Sequence, residues 1–177
     1  MNLKLAFLAA QDIPQAKHDE IDALDQLAYE NVAGHEENQK IEWASSQWIG
    51  LGSVDGCLAT QLGCLEREIR INGHSLWVSG IGGVATHPQF QRKGYAKALL
   101  QATEKFIREE LNTSFALLLC DGMPCELYRS LGWQDIADHV LYQQGGQTHR
   151  FESNVMIFQF SDESFPVGEI DLCGSPW

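Results

Sequence analysis

The sequence predicts an α/β protein of the α+β kind, a single domain over residues 1–177 in which helices flank a mixed, mostly antiparallel sheet. Two turns and one connection support this prediction. Asp55-Gly56 and Asn72-Gly73 separate three β-rich runs, and both dipeptides tolerate the positive φ angles of tight hairpins. An amphipathic helix then leads to a continuous apolar run typical of a buried strand, so the sheet is expected to be mixed.

The first half of the chain reads as a strand, a helix and a β-meander. The strand is Leu3–Ala9, and Lys17–Val32 carries apolar residues at helical spacing. The meander is predicted from the three runs beside the two turns, which are Gln47–Ser53, Cys57–Ile71 and His74–Thr86.

The second half begins with the clearest amphipathic helix of the sequence, at Gly94–Leu111, followed by the apolar run Phe115–Cys120. A short helix is expected at Glu126–Leu131, before a glycine that stops it. Two strands joined by a Gly-Gly turn and then a polar tail complete the prediction, at Trp133–Tyr142, Arg150–Phe160 and the residues up to Trp177.

Charge restricts the partners. The 177 residues include 24 acidic and 12 basic side chains, which give a net charge of −12. Such a surface repels phosphate backbones and attracts small polycations, so we expect no nucleic-acid partner and a cationic small molecule instead. No apolar run near the N-terminus approaches the roughly 18 residues that a membrane helix requires, so no membrane partner is expected.

The cysteines indicate the compartment. They are Cys57, Cys64, Cys120, Cys125 and Cys173, an odd number with no Cys-x-x-Cys pair and no Cys/His cluster at zinc spacing. We therefore expect a reduced, cytoplasmic protein without a metal site.

A glycine-rich strand matches a dinucleotide-binding fingerprint in letters only. Gly80–Ala85 reads Gly-x-Gly-x-x-Ala, but that fingerprint needs a helix that opens at the glycines. Here the chain continues into His87-Pro88, which prevents one. The glycines instead indicate a β-bulge, or the close approach of another group to the strand.

The loop before the amphipathic helix is a candidate phosphate site. It consists of Gln91, Arg92, Lys93, Gly94, Tyr95 and Ala96. Main-chain N–H groups at a helix N-terminus are unpaired and carry the positive end of the helix dipole, so they can hold a pyrophosphate. An ordinary basic loop is the alternative interpretation.

Three segments together resemble the GNAT superfamily of acetyl-CoA-dependent N-acetyltransferases. They are Val84–Pro88, the loop Gln91-x-x-Gly94-x-Ala96, and Leu127–Trp133 with its Tyr-x-x-x-Gly-aromatic pattern. The resemblance covers nearly the whole chain and implies the GNAT fold, acetyl-CoA as the cofactor and an acyltransferase activity.

The resemblance also implies roles for the residues of these segments. Val84, Ala85 and Thr86 would offer main-chain groups to the pantetheine arm, while residues 91–96 would wrap the pyrophosphate. Tyr128 falls where the family places a hydroxyl beside the thioester sulfur, to protonate the leaving thiolate. Because an unperturbed phenol is a weaker acid than a thiol, a hydrogen bond to the thiolate is an alternative to full proton transfer. A packing role for Tyr128 is the plainer interpretation.

Within the superfamily the sequence most resembles the aminoglycoside 2′-N-acetyltransferases. The shared features are Glu42-Trp43, Gly83–Ala85, Leu127-Tyr128, Gly132-Trp133 and an aromatic last residue, Trp177. The resemblance implies that acidic groups hold the ammonium groups of the antibiotic. These would be Glu37, Glu42, Glu152 and the carboxylate of Trp177, with Asp121 as a further candidate.

The resemblance leaves the general base unassigned, because Gly82 stands where that family has a glutamate. His35, Glu37, Glu42 and Glu152 all stay open, as does a chain of water molecules. A cysteine nucleophile, Cys120 or Cys125, is less favoured than direct attack by the amine.

The predicted function is thus acetyl transfer from acetyl-CoA to an amino group of an aminoglycoside, preferably the 2′ amino group, which would confer antibiotic resistance. Two alternatives remain. One is acetylation of another amine, such as a polyamine, an amino sugar or a protein N-terminus. The other is an acyl-CoA-binding module without turnover. A homodimer is expected from the family resemblance alone.

Overall fold

The computed structural model describes residues 2–30, 40–120 and 125–177. Thirteen helices and strands in these ranges build the fold, apart from two short 3₁₀ turns. They are β1 (Leu3–Ala9), α1 (Gln15–Tyr29), β2 (Trp48–Val54), β3 (Cys57–Ile71), β4 (His74–Thr86), α2 (Tyr95–Phe106), β5 (Phe115–Cys120), α3 (Cys125–Ser130), β6 (Gln134–Ile136), β7 (Val140–Gln144), β8 (Gln147–Phe151), β9 (Asn154–Gln159) and β10 (Ile170–Asp171).

All ten strands belong to one sheet. The main path of the sheet has the strand order β6-β9-β5-β4-β3-β10-β7-β8. Outside this path, β2 pairs with β3, and β1 pairs with β2. The long strand β3 therefore pairs with β4 along its length, with β2 near its start and with β10 at its end. Most pairs are antiparallel, whereas β4 with β5 and β10 with β7 are parallel. The predicted fold class is confirmed.

The strand β4 carries a β-bulge in its second half. Gln61 pairs with Ala85 and Gly63 pairs with Gly82, so two residues of β4 oppose one residue of β3. Gly83 lies in the bulge with φ of +58°, a conformation that residues with a Cβ rarely adopt. The prediction that the glycines mark a bulge is confirmed.

The sheet has two differently covered faces. On the first face, Cys64 and Ile81 pack in one apolar cluster with Leu99 and Leu100 of α2 and with Tyr128 of α3. Since side chains alternate along a strand, the neighbouring odd-numbered positions of β3 face the opposite side. We call that opposite side, which carries α1 and the C-terminal segment, the second face.

Several helix and strand limits shift slightly. The first helix begins at Gln15, two residues earlier than predicted, and Tyr29 is its last residue. The central helix is α-helical from Tyr95 to Phe106 and continues as a π-helical turn over Ile107–Leu111. These changes leave the order of elements as predicted.

The prediction for the C-terminal third was wrong in two respects. The two strands expected at Trp133–Tyr142 and Arg150–Phe160 are four strands, and the Gly145-Gly146 turn joins β7 to β8. While β6 and β9 pair beside β5, the hairpin of β7 and β8 extends the sheet beyond β10. A short polar interruption in each predicted strand allows the chain to cross from one end of the sheet to the other.

The expected polar tail is instead part of the core. Ile170 and Leu172 are fully buried, and Trp177 is 6% exposed. The tail is anchored by main-chain hydrogen bonds from Leu172 N to Leu141 O (2.8 Å), from Gln143 N to Gly174 O (3.0 Å) and from Ala44 N to Pro176 O (2.6 Å). Its alternation of single apolar residues with polar ones conceals this burial in the sequence.

Candidate active site

A gap in the sheet opens where β4 and β5 part. Their parallel pairing covers only Ser79–Ile81 opposite Ala116–Leu118. Beyond Ile81, β4 continues through the bulge to Thr86 without pairing to β5. The sequence-predicted residues Val84, Ala85 and Thr86 therefore line an edge where main-chain groups face outward from β4, a suitable place for an extended ligand such as a pantetheine arm.

The predicted phosphate loop leads from this edge to α2. Arg92 and Gly94 have positive φ angles of 59° and 80°, and Gly94 immediately precedes the first residue of α2. A Cβ added at Gly94 would meet no atom within 4 Å, so open space lies in front of the helix N-terminus. This geometry fits a pyrophosphate held by the main-chain N–H groups of the first turn.

Two side chains of the loop stabilise its shape. Nε2 of Gln91 donates a 3.2 Å hydrogen bond to the carbonyl oxygen of Thr86, and the ammonium of Lys93 donates a 2.8 Å bond to that of Gln89. The same ammonium lies 5.2 Å from the ring centre of Phe90. Gln91 and Lys93 thus hold the loop together at this end of β4.

Tyr128 lies on the first face, on the short helix α3. It is 5% exposed and packs edge-on against Trp133, with ring centroids 6.3 Å apart. Burial raises the pKa of its phenol well above the usual value, and the nearby Tyr29, Cys120 and Cys125 raise it further. The hydroxyl therefore keeps its proton at neutral pH and can act as a hydrogen-bond donor.

Two cysteines accompany Tyr128. The sulfur atoms of Cys120 and Cys125 lie 2.9 Å apart, and both residues are buried. Asn154 Nδ2 lies 3.7 Å from the sulfur of Cys125. The contacts of the two sulfur atoms are thus with each other and with a neutral amide, and direct attack by the amine stays the favoured prediction.

Tyr29 of α1 contacts the bulge of β4, a contact that the sequence did not predict. Its hydroxyl donates a 3.0 Å hydrogen bond to the carbonyl oxygen of Val84. One helical turn earlier, Asp25 accepts a 2.6 Å hydrogen bond from Nε2 of Gln61 on β3. The sequence shows Asp25 only as a polar residue on the apolar side of α1, which was the one available signal.

Trp177 explains two of the glycines on β4. A Cβ at Gly80 would lie 2.6 Å from the indole Cδ2, and a Cβ at Gly82 would lie 2.6 Å from the main-chain carbon and 2.9 Å from the main-chain oxygen of Trp177. The indole nitrogen donates a 3.3 Å hydrogen bond to Leu117 O, and the guanidinium of Arg67 lies 5.3 Å from the ring centre. The expected close approach to the glycines is confirmed, and residue 177 is the group that approaches.

The structure describes only some of the predicted acceptor-binding residues. Glu37, Asp121 and the candidate base His35 lie outside the described residues. Glu42 and Glu152 are exposed, and the Glu152 carboxylate is 3.8 Å from Arg150.

Two observations concern membranes and metals. Within residues 2–30, 40–120 and 125–177, none of the helices has the length and apolarity to cross a bilayer. In the same part of the chain, no three or more His, Cys, Asp or Glu side chains form a group that could hold a metal ion.

A family model described as an acetyltransferase (GNAT) domain matches residues 10–136 of this chain. The match covers more than half of the sequence, and the chain therefore belongs to the GNAT acetyltransferase domain family. This family agrees with the predicted enzyme class, an acetyl-CoA-dependent acetyltransferase. No curated protein sequence matches the chain.

Solved structures agree with the fold. YhbS from Escherichia coli, a GNAT family N-acetyltransferase in complex with CoA, has 16% identity and a TM-score of 0.64, covering 98% of this chain and 92% of that one. A GNAT family acetyltransferase from Brucella melitensis in complex with acetyl-CoA has 16% identity and a TM-score of 0.60, with 94% of each chain covered.

Larger proteins contain the same fold. Eis1 from Mycobacterium abscessus has 15% identity and a TM-score of 0.59, covering 76% of this chain and 31% of its own. Two other similar structures are covered to 33% and 34%, so this chain spans about a third of the length of these three proteins.

Proposed function

We propose that the protein transfers the acetyl group of acetyl-CoA to an amino group of an aminoglycoside, preferably the 2′ amino group, and so confers resistance. The observation that carries the proposal is the second face beside the bulge, where the segment at residues 42–44 meets the C-terminal segment. An acceptor placed there would lie across β4 from the thioester. The net charge of −12 favours a polycationic acceptor.

The contacts of this region support a shared acceptor site. Ala44 is hydrogen-bonded to Pro176, and the ring of Trp43 packs edge-on against Phe151 at 6.4 Å between centroids. Through these neighbours, the segment that carries Glu42 contacts the C-terminal segment and β8, whereas Trp177 itself is buried. Exposed ion pairs are worth only about 0–1 kcal/mol each, so several are needed to hold a polyamine.

The cofactor side of the proposal uses the chain's own groups. Acetyl-CoA supplies an activated acetyl group as a thioester. Residues 91–96 would bind the pyrophosphate, and the outward edge of Val84–Thr86 would orient the pantetheine arm. Tyr128 would donate a hydrogen bond to the sulfur as negative charge develops there. Since burial raises the pKa of Tyr128, the hydrogen bond is favoured over complete proton transfer.

The decisive experiment measures thiol release from acetyl-CoA with gentamicin, kanamycin, neomycin, spermidine and a peptide amine. We expect turnover with the aminoglycosides, and mass spectrometry with NMR of the product should place the acetyl group on the 2′ nitrogen. Turnover restricted to spermidine or the peptide would overturn the aminoglycoside proposal in favour of another amine. Binding of acetyl-CoA without turnover of any amine would indicate the non-catalytic module.

Gly94→Ala tests the phosphate loop. Alanine at a φ of +80° costs about 1 kcal/mol of strain or shifts the loop, which misaligns the main-chain N–H groups. We expect the Kd for CoA, measured by calorimetry, to rise about tenfold. Gly73→Ala is a matched control, because Gly73 has a similar φ of +83° in the turn between β3 and β4, at the opposite end of β4 from the loop. Equal Kd values for both variants would contradict the assignment.

A further inference from the structure

An acidic side chain without a role so far lies on the second face of the sheet. Asp25 is half-buried between α1 and β3, where Nε2 of Gln61 donates to it at 2.6 Å and also lies 3.3 Å from the carbonyl oxygen of Ile21. Both amide hydrogens of Gln61 thus point at α1. Its amide oxygen is buried and has no hydrogen-bond partner among the described residues. An unpaired buried acceptor is costly, and functional sites are one place where such a cost is kept.

The register of the sheet brings this carboxylate close to residue 82. Gln61 and Gly63 are two residues apart on β3, so their side-chain positions share the second face and lie about 7 Å apart. Gly63 pairs directly with Gly82. Gly82 is the position at which the resemblance leads one to expect a glutamate. Asp25 therefore lies on the second face beside the strand position of Gly82, whose own side-chain space is filled by the main chain of Trp177.

The helix α1 also connects Asp25 to the edge that would hold the cofactor. Tyr29 follows Asp25 by four residues, so both lie on the same side of α1. The hydroxyl of Tyr29 is hydrogen-bonded to the carbonyl oxygen of Val84, which belongs to the predicted pantetheine-binding segment. The side of α1 that carries Asp25 thus contacts the bulge of β4.

The environment of Asp25 suits proton transfer near neutral pH. Burial raises its pKa to about 6, the hydrogen bond from Gln61 opposes the rise, and the charge of Asp22 adds to it. The titratable neighbours on α1 are Asp22 and Tyr29, whereas β3 contributes the neutral Gln61. At pH 7 the carboxyl group is ionised and is a stronger base than an exposed aspartate.

We propose that Asp25 is the general base of the acetyl transfer, and this inference rests on the proposed function. The carboxylate takes one proton from the acceptor ammonium, which leaves a neutral amine, and later releases it to solvent. When the C–N bond forms and the C–S bond breaks, a second proton of the amine ends on the sulfur of coenzyme A. Protons and electron pairs then balance for the overall reaction.

The test compares Asp25→Asn with Asp22→Asn, using whichever amine of the panel the wild type acetylates best. Asparagine can still accept the hydrogen bond from Gln61 but cannot take a proton. We expect kcat/KM of the wild type to fall below pH 6, and Asp25→Asn to lose about 10- to 100-fold at pH 7. The variant should recover towards pH 9, where the amine loses its proton to water. Asp22→Asn should keep the wild-type kcat/KM at pH 7. Because it removes a charge that raises the pKa of Asp25, it should move the acidic limb of the pH profile to slightly lower pH.

Thermal unfolding shows whether the variant folds. The folded-state pKa of Asp25 lies above the usual value, so the folded protein binds a proton that the unfolded chain has released between about pH 4 and pH 6. As the pH rises across this window, Asp25 therefore contributes a loss of stability to the wild type that Asp25→Asn lacks. We expect the Tm of the variant above pH 6 to equal or exceed that of the wild type.

The outcomes separate this inference from the proposed function. Wild-type activity with Asp25→Asn at pH 7, or an unchanged acidic limb, would overturn the inference and leave the aminoglycoside proposal intact. If Asp25→Asn loses the acidic limb of the pH profile and spermidine is the best acceptor, the result supports Asp25 as the general base and overturns the aminoglycoside proposal. Acetylation of no amine would overturn both. If Asp25→Asn does not fold, Asp25→Glu replaces it in the test. An acidic limb of the pH profile of kcat/KM that stays at the wild-type position in Asp25→Glu would then overturn the inference.

Discussion

Tyr128→Phe is expected to lower kcat by about 10²- to 10³-fold while the Kd for acetyl-CoA changes less than threefold, on the usual scale for a proton or hydrogen-bond donor in a transition state. The phenylalanine ring preserves the packing against Trp133 and removes only the hydroxyl. Because burial keeps the hydroxyl protonated, its donation should be independent of pH below about 10. Single-turnover kinetics and calorimetry with acetyl-CoA measure the two quantities.

Tyr142→Phe provides the matched control for this prediction. Tyr142 is also buried, but it lies on β7 in the other apolar cluster and stacks on His149 at 5.2 Å. We expect loss of its hydroxyl to leave kcat within about twofold, because the ring contacts of Tyr142 among the described residues are with His149 and Phe151 on β8. An equal loss of kcat in both variants, or unchanged turnover of Tyr128→Phe, would reduce Tyr128 to a packing residue.

The sequence predicted best the parts of the fold whose causes are local. The Asp-Gly and Asn-Gly turns set the limits of the neighbouring strands, so the ranges Cys57–Ile71 and His74–Thr86 agree with β3 and β4. Both dipeptides have the two positive φ angles that the turn type requires. The phosphate role of the loop before α2 was predicted from its place at a helix N-terminus, the role of Tyr128 came from the family resemblance, and both roles stay predictions.

The failures concern contacts between residues far apart in the chain. Nothing near Ile170 reveals that it pairs with Ile71 on one side and Val140 on the other, which is what converts a polar tail into β10. Asp25 shows the same limitation at the site, because its partner Gln61 is 36 residues away on another element. A single sequence contains periodicity and turn chemistry but not the pairing of distant segments.

Gly80→Ala and Trp177→Ala are each expected to destabilise the protein when made singly, and the cost of Gly80→Ala is expected to disappear when the two are combined. Trp177→Ala empties a buried site and should cost about 3–5 kcal/mol in the free energy of unfolding. Gly80→Ala places a methyl group in the volume of the indole and should cost about 1–3 kcal/mol or more, since the ring is closed in by Arg67 and Leu117.

In the Trp177→Ala background the added methyl group would occupy vacated space, so Gly80→Ala should then cost less than about 0.5 kcal/mol or stabilise slightly. Urea unfolding of the four proteins measures a coupling of about 1–3 kcal/mol, and additive costs would show that the indole does not lie on Gly80. Both single variants should also raise KM for the amine more than KM for acetyl-CoA. Residue 177 covers the acceptor side of β4 at Gly82, whereas the phosphate loop lies beyond Thr86 at the end of the strand. An equal rise in both constants would separate the stabilising role of Trp177 from any part in binding the acceptor.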